Sequence, residues 1–227
     1  MSDVIKEAIA KEAVKLVKAN MIIGLGTGTT ANSFIRCLAK KIRDENLKIK
    51  AVASSKATEK IAKEENIDLL NSEEMIFVDL YFDGADEIDP EKNMIKGRGG
   101  ALLREKVLAY SAKEMIVLVD DSKLVAHLGY KSNLPVEIVP FALAAVEIQL
   151  KEEGYVGKYR LNKDGSYYLT DNENVIFDVL TDKNEPLTRQ DHDIIKEIPS
   201  VVETGLFFDV AGRIVVGYAA QKVEILN

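Results

Sequence analysis

Four carboxylates, Asp83, Asp86, Glu87 and Asp89, crowd into the stretch FDGADEID at residues 82–89. It follows the apolar run MIFVDLYF, which reads as a buried strand. Like charges at a strand end repel, so they either point into water or are held together because something binds there. Gly84 predicts a sharp turn, on either side of which Asp83 and Asp86 could both project toward one rim. Such a bowl could take a metal ion, the hydroxyl groups of a sugar, or nothing; magnesium would suit a neighbouring phosphate. No histidine joins the cluster: His127 and His192 lie elsewhere in the chain and read as structural or exposed. With Lys96 and Arg98 available to balance charge, sugar hydroxyls are the better ligand.

Two glycine-rich stretches add to this. GLGTGTT, residues 24–30, lacks the third glycine of a dinucleotide fingerprint, because Thr29 stands where it would be, and no acidic residue closes the next strand. No Gly-Lys-Ser/Thr follows, which excludes a P-loop. What remains is a glycine turn entering a helix, with hydroxyls at Thr27, Thr29 and Thr30 beside Gly28. Backbone N–H groups, hydroxyls and the helix dipole there would cradle one phosphate, against the plainer reading of a threonine N-cap. In KGRGGALLREK, residues 96–106, glycines at 97, 99 and 100 permit close backbone approach, while Lys96 and Arg98 bring positive charge. Glu105 in the following helix has only apolar helical neighbours, Ala101, Leu102, Leu108 and Ala109. A carboxylate so placed is partly buried, which raises its pKa toward values suited to a general base.

The elements needed to position these groups follow from periodicity. A helical pattern over residues 3–19 leads into the strand NMIIGLG, a helix from about 31 to 43, the strand IKAVAS, and a helix around 56–65. The strand before DGAD, a helix over about 100–112 and the strand EMIVLVD complete a β/α alternation. This pattern predicts an α/β fold: a Rossmann-like, mostly parallel sheet with helices on both faces. Ligands in such sheets bind beyond the carboxyl ends of the strands, where GLGTGTT, DGADE and DDSK would meet. From 131 to 204 the order βαββαβ predicts an inserted, smaller α+β ferredoxin-like domain. Residues 1–130 and 205–227 would then form the catalytic domain, with RIVVGYAAQKVEIL returning to its sheet.

Composition bounds the function. The 227 residues carry a net charge of −7 and no apolar run near the length of a membrane span, which argues against nucleic acid and membrane as partners. The amino terminus is amphipathic and charged, unlike a signal peptide. A lone Cys37 in an apolar-periodic segment reads as a reduced structural thiol and implies a cytoplasmic location.

Taken together, GLGTGTT, SSKAT, FDGADEID, MIKGRGGALLREK, VDDSK and LPVEIVP, in this order along essentially the whole chain, resemble ribose-5-phosphate isomerase of the A type. The resemblance implies interconversion of D-ribose 5-phosphate and D-ribulose 5-phosphate through an enediolate, in the non-oxidative pentose phosphate pathway, with no metal and no cofactor. It implies Glu105 as the proton-shuttling base, Asp83 in ring opening and proton traffic, Asp86 holding substrate, and Lys96 stabilising the enediolate. It assigns substrate contacts to Lys6, Thr27, Gly28, Thr29, Thr30, Gly84, Ala85, Gly97, Arg98, Gly99 and Lys123, with Arg98 standing where some members have glycine. A homodimer or homotetramer acting on a phosphorylated pentose is expected. The alternatives are a non-catalytic sugar-phosphate sensor, which would want an attached DNA-binding helix-turn-helix, and an acyl- or amino-group enzyme, which would want a nucleophile or histidine at the rim.

Overall fold

The structure, a computed structural model, describes residues 2–219 and 222–227. In chain order its first elements are α1 (Asp3–Ala13), β1 (Ile22–Leu25), α2 (Thr29–Glu45), β2 (Lys50–Ala53), α3 (Lys56–Glu64), β3 (Val78–Asp83), β4 (Glu87–Ile88), β5 (Met94–Ile95), α4 (Leu102–Ser111) and β6 (Ala112–Asp120). Then come β7 (Leu134–Ile138), α5 (Leu143–Glu152), β8 (Gly157–Tyr159), β9 (Val175–Val179), α6 (Arg189–Glu197), β10 (Val201–Thr204), β11 (Leu206–Phe207), β12 (Ala211–Gly217) and β13 (Val223–Leu226). The chain folds as two compact units: Met1–Ala85, Arg104–Lys123 and Val210–Asn227 make the first, Asp86–Leu103 and Leu124–Asp209 the second. The lines drawn from sequence at 130/131 and 204/205 differ from this division chiefly in residues 86–103, which group with the second unit.

The first unit holds a six-stranded sheet ordered β13-β12-β6-β3-β1-β2. All its neighbouring pairs are parallel except β12 with β13, so this is the Rossmann-like sheet the alternation implied. Its core joins Ile23, Leu25, Phe82, Ile116 and Val215 of the strands to Ile9, Phe34 and Leu38 of the helices. α1 and α2 present apolar residues at three- and four-residue spacing because only that spacing keeps one helical face on the sheet. Ser55 starts α3 by accepting the Thr58 N–H at 3.0 Å, and Asn46 in the left-handed region ends α2. Cys37 packs at the edge of this core, where burial pushes its thiol pKa up and keeps it protonated.

The second unit carries an antiparallel sheet ordered β10-β7-β9-β8 with α5 and α6, which is the ferredoxin-like βαββαβ arrangement. Leu134, Val136 and Ile138 of β7 enter the core with Val175, Phe177 and Val179, meeting Val146, Leu150 and Ile195 from the helices. The alternate residues Pro135 and Glu137 point to the other sheet face. A small sheet ordered β11-β5-β4 completes this unit. It divides the segment SVVETGLF, read from sequence as one strand, into β10 and β11. Gly205 causes the break: its N–H donates to Pro135 O at 2.7 Å while its O accepts the Lys96 N–H at 2.9 Å, so one residue serves two sheets. A Cβ there would lie 2.3 Å from Lys96 O.

Two other expectations need correction. In MIFVDLYF the strand begins only at Val78, where pairing with Ala112 starts, and Ile76 is 88 % exposed. Not all four clustered acids are placed to face a ligand, because Glu87 and Asp89 have structural tasks. Asp89 closes the β4–β5 turn by accepting the Asn93 N–H at 2.8 Å, with Lys92 at φ 65°. Glu87 is fully buried and accepts backbone N–H groups from Gly129 at 2.8 Å, Ser132 at 2.5 Å and Lys131, tying the segment before β7 to β4. Glu87→Ala takes the acceptor from all three donors, so unfolding free energy should fall by about 2–4 kcal/mol, read as a lower urea midpoint at constant slope.

Candidate active site

In the first unit the strand ends decide where the polar groups stand. β1 runs into Gly26 and Thr27, β2 into Ser54 and Ser55, β3 ends at Asp83, and β6 leads into a short turn of helix, Asp121–Lys123. Asp83 is fully buried, and its carboxylate accepts the Gly84 N–H at 2.7 Å, the Thr27 N–H at 3.1 Å and the Tyr81 hydroxyl at 2.5 Å. Charge-assisted bonds of this kind are what make a buried carboxylate tolerable. Gly26 passes so close that a Cβ would lie 2.2 Å from the Asp83 carboxyl carbon. The glycines at 24 and 26 are therefore needed for the β3 side chains Tyr81 and Asp83 to pack, which accounts for them without any dinucleotide.

Behind this pair lies a hydroxyl cluster. Thr27 Oγ1 is 2.7 Å from Ser54 Oγ, 2.9 Å from Ser55 Oγ and 3.2 Å from Thr58 Oγ1, and the Thr58 hydroxyl donates to Gly26 O at 2.9 Å. The Thr27 hydroxyl thus faces inward and organises the turn. Gly28 is the N-cap of α2 at φ 113°, a conformation other residues rarely adopt. No side chain caps that end, so the plainer alternative, a threonine N-cap, is not what the structure shows. The first turn of any α-helix, here the turn of Thr29 and Thr30, points N–H groups away from the helix body. Thr29 is exposed and Thr30 buried.

Glu105 on α4 is 3 % exposed, and the apolar neighbours read from the sequence, Ala101, Leu102, Leu108 and Ala109, are all buried. Its charge acts on Tyr81. The Tyr81 phenol is pushed well above its ordinary value of 10, first by burial, then by the charges of Asp83 and Glu105. Lys6 lies on the first turns of α1, which reach the same rim: a Cβ on Gly217 would strike Ile5 and Ile9 at 2.7 Å, and Gly217 pairs with Asp120. Lys6 bonds Asp3 at 2.9 Å. Lys123 ends the short helical turn after β6, while Gly84 and Ala85 follow Asp83. Gly84 does not adopt a positive φ and a Cβ there would meet only Leu118 O at 3.6 Å, so the position does not require glycine, and it is the Gly84 N–H that holds Asp83.

In the second unit, Asp86 donates its N–H to Ile95 O at 2.8 Å and accepts the Arg98 N–H at 3.0 Å through Oδ2. Lys96 is 3 % exposed, with its Nζ 5.7 Å from the centroid of the Phe207 ring. Gly97 sits at φ 107°, and Arg98 and Gly99 are exposed. A cavity of about 390 Å³ opens beside this loop, lined by Asp86, Arg98, Lys131, Ser132, Arg160 and Asp178 among others. Both histidines have local partners: His127 Nδ1 is 3.1 Å from Leu128 O, and His192 Nδ1 is 2.7 Å from Thr204 Oγ1. Among the described residues no group of three or more His, Cys, Asp or Glu side chains is placed to hold a metal ion, and no helix is long and apolar enough to cross a membrane.

Sequence reasoning passed over Tyr81, Arg160, Tyr168 and Asp178. Strand alternation carries a signal for the first, since residues i and i+2 of β3 share a face and so place Tyr81 beside Asp83. No local pattern marks the other three, whose partners are far away in sequence.

Comparison with known proteins agrees with this architecture. Residues 50–221 match the profile of the family described as ribose 5-phosphate isomerase A (phosphoriboisomerase A). The chain is 47 % identical over 223 residues to the ribose-5-phosphate isomerase A of Protochlamydia amoebophila, covering 97 % of this chain and 94 % of that one. A solved structure of ribose 5-phosphate isomerase A from Methanocaldococcus jannaschii superposes with a TM-score of 0.91 at 40 % identity, covering 98 % of both chains. A D-ribose-5-phosphate isomerase solved in complex with phospho-erythronic acid gives 0.92 at 35 % identity, covering 98 % of this chain and 97 % of that one. An α/β fold with this degree of likeness defines a sugar-phosphate isomerase, and the chain belongs to the ribose 5-phosphate isomerase A family. It is an enzyme of ribose 5-phosphate isomerisation, so the sensor and group-transfer alternatives fall away.

Two outcomes follow from the Asp83 environment. Gly26→Ala forces the carboxylate out of its three bonds, so turnover of ribose 5-phosphate should fall at least about 10²-fold while far-ultraviolet circular dichroism stays unchanged. Tyr81 keeps its proton in the folded state above pH 10, where an unfolded chain would ionise it. Its contribution to stability is therefore complete below pH 10 and declines as pH rises beyond that, and denaturant titrations at pH 8 to 11 should show a shallower alkaline decline in Tyr81→Phe.

Proposed function

We propose that the chain converts open-chain ribose 5-phosphate to ribulose 5-phosphate through a 1,2-enediolate, with Glu105 as the base. The carboxylate removes the proton on C2, and the electron pair of that C–H bond forms the C1–C2 double bond as negative charge moves onto O1. A proton passes from O2 to O1, and Glu105 returns its proton to C1, leaving a carbonyl at C2. One group thus takes and restores a proton, and no redox partner is needed. The observation carrying this reading is a buried Glu105 whose charge acts on Tyr81, the residue that donates its hydroxyl to Asp83 at the end of β3.

Other roles follow from side-chain chemistry. Asp83, fixed by three donors, is suited to accept from sugar hydroxyls and to assist ring opening. Lys96, almost fully buried, supplies a desolvated positive charge for the enediolate, where such stabilisation is typically worth about 10²–10³-fold. Asp86 holds a substrate hydroxyl. The start of α2 at Gly28, Thr29 and Thr30, where the helix dipole favours an anion, receives the phosphate together with Lys6 and Lys123. Thr27, Gly84, Ala85, Gly97, Arg98 and Gly99 complete the substrate contacts. Assembly as a homodimer or homotetramer, a cytoplasmic location and service in the non-oxidative pentose phosphate pathway belong to the same proposal. So does action without metal or cofactor.

The decisive measurement is interconversion of ribose 5-phosphate and ribulose 5-phosphate without added cofactor and with a chelator present. Full activity is expected; activity restored only by a divalent cation overturns the metal-free mechanism. Glu105→Gln should keep substrate affinity and lose turnover by about 10³-fold or more, and Lys96→Ala should lose at least about 10²-fold. Near-normal turnover in Glu105→Gln removes the proposed base.

A further inference from the structure

The loop that follows Lys96 is held by side chains some sixty residues further along the chain. Arg160 Nη1 donates to Gly97 O at 3.1 Å and to Arg98 O at 3.0 Å. The Tyr168 hydroxyl donates to the next carbonyl, Gly99 O, at 3.1 Å. Three consecutive carbonyls are thereby captured. The guanidinium is itself fixed, because its Nε and Nη2 donate to Asp178 Oδ2 and Oδ1 at 2.9 and 2.5 Å. Arg160 and Asp178 come from or adjoin the paired strands β8 and β9, and the ring of Tyr168 lies where a Cβ on Gly100 would otherwise sit, 2.4 Å from the hydroxyl.

A turn with glycines at 97, 99 and 100 has many conformations open to it, two of its residues at positive φ, and no regular secondary structure to choose among them. A planar guanidinium can grip a carboxylate with two N–H groups and still present others to neighbouring carbonyls, which an ammonium cannot do with fixed geometry. Arg160 uses its fork in this way. The side chain is 18 % exposed and the Asp178 side chain 26 %, so the bonds are partly shielded from water.

We propose that Arg160, oriented by Asp178 and aided by Tyr168, is a positioning residue that holds the 97–99 loop, and Lys96 at its start, in the geometry the isomerisation uses. The inference rests on the role given above to Lys96 and this loop. It assigns to the ferredoxin-like part of the second unit the positioning of that loop.

The test compares wild type, Arg160→Ala, Arg160→Lys and Tyr168→Phe in the full-length enzyme. Readouts are kcat and KM for ribose 5-phosphate, amide hydrogen exchange and thermal unfolding. Arg160→Ala and Arg160→Lys should each lower kcat at least about tenfold while KM changes less than about threefold. Exchange should quicken selectively at residues 98–100, and methylguanidinium should restore part of the kcat of Arg160→Ala. Tyr168→Phe should lower kcat about two- to fivefold, with faster exchange in the same residues. Wild-type kcat in Arg160→Ala, or a lost kcat with unchanged exchange at 98–100, overturns the proposal. If the Arg160 variants do not fold, unchanged kcat and exchange in Tyr168→Phe overturn it instead. An active Arg160→Ala beside an inactive Lys96→Ala refutes only the positioning role, whereas an active Lys96→Ala refutes the reading beneath it.

Discussion

A carboxylate without contact with water is stable in its charged form only if donors replace the water it has lost, and Asp83 imposes that requirement on the first unit. Its oxygens need the Thr27 N–H, the Gly84 N–H and the Tyr81 hydroxyl together. Each donor in turn constrains its own element. Thr27 can present its N–H only because Gly26 has no side chain to strike the carboxylate, and its hydroxyl is anchored among Ser54, Ser55 and Thr58. The ends of β1, β2 and β3 are thus joined by one set of polar contacts, which a parallel sheet would otherwise leave to its loops.

The second unit handles its charges by the same rule with different partners. Glu87 satisfies three backbone N–H groups, and Glu137, also fully buried, accepts from Thr170, Asn172 and Asn174 through a single oxygen. Asp178 is neutralised by Arg160. These groups specify loop geometry more than they add stability, since a buried ion pair or carboxylate costs desolvation that its bonds only offset. The loops so specified are 129–132, 170–174 and 97–99, the last of which begins at Lys96. Charge in this half of the chain is therefore chiefly a means of holding irregular backbone.

Much was legible in the residues alone because it rests on short-range rules. The β/α alternation, the ferredoxin-like insertion and the helix neighbours of Glu105 depend on periodicities of 2 and 3.6 that any stretch of chain displays by itself. The joint motifs FDGADEID and KGRGGALLREK pointed to the isomerase family for the same reason, being contiguous. Element ends were harder to read. The apolar residues Ile76 and Phe77 read as strand, yet the ladder to β6 starts only at Val78, and SVVETGLF read as one strand because nothing local reveals that Gly205 must lie against Lys96 and Pro135.

What the amino-acid sequence determined by itself was the family of folds, the order of elements and the candidate residues for the site, all of which follow from local pattern. Tertiary structure decided which of four neighbouring acids are available to a ligand: Asp83 was drawn into one hydrogen-bonded site, Asp86 toward Arg98, Glu87 into a structural clamp and Asp89 into a turn. It also decided that Arg160, Tyr168 and Asp178 hold the loop after Lys96. Several of these assignments depend on donors distant in sequence, Thr27 for Asp83 and Gly129, Lys131 and Ser132 for Glu87, and the free energy of burying a charge depends on such partners, which local pattern does not reveal.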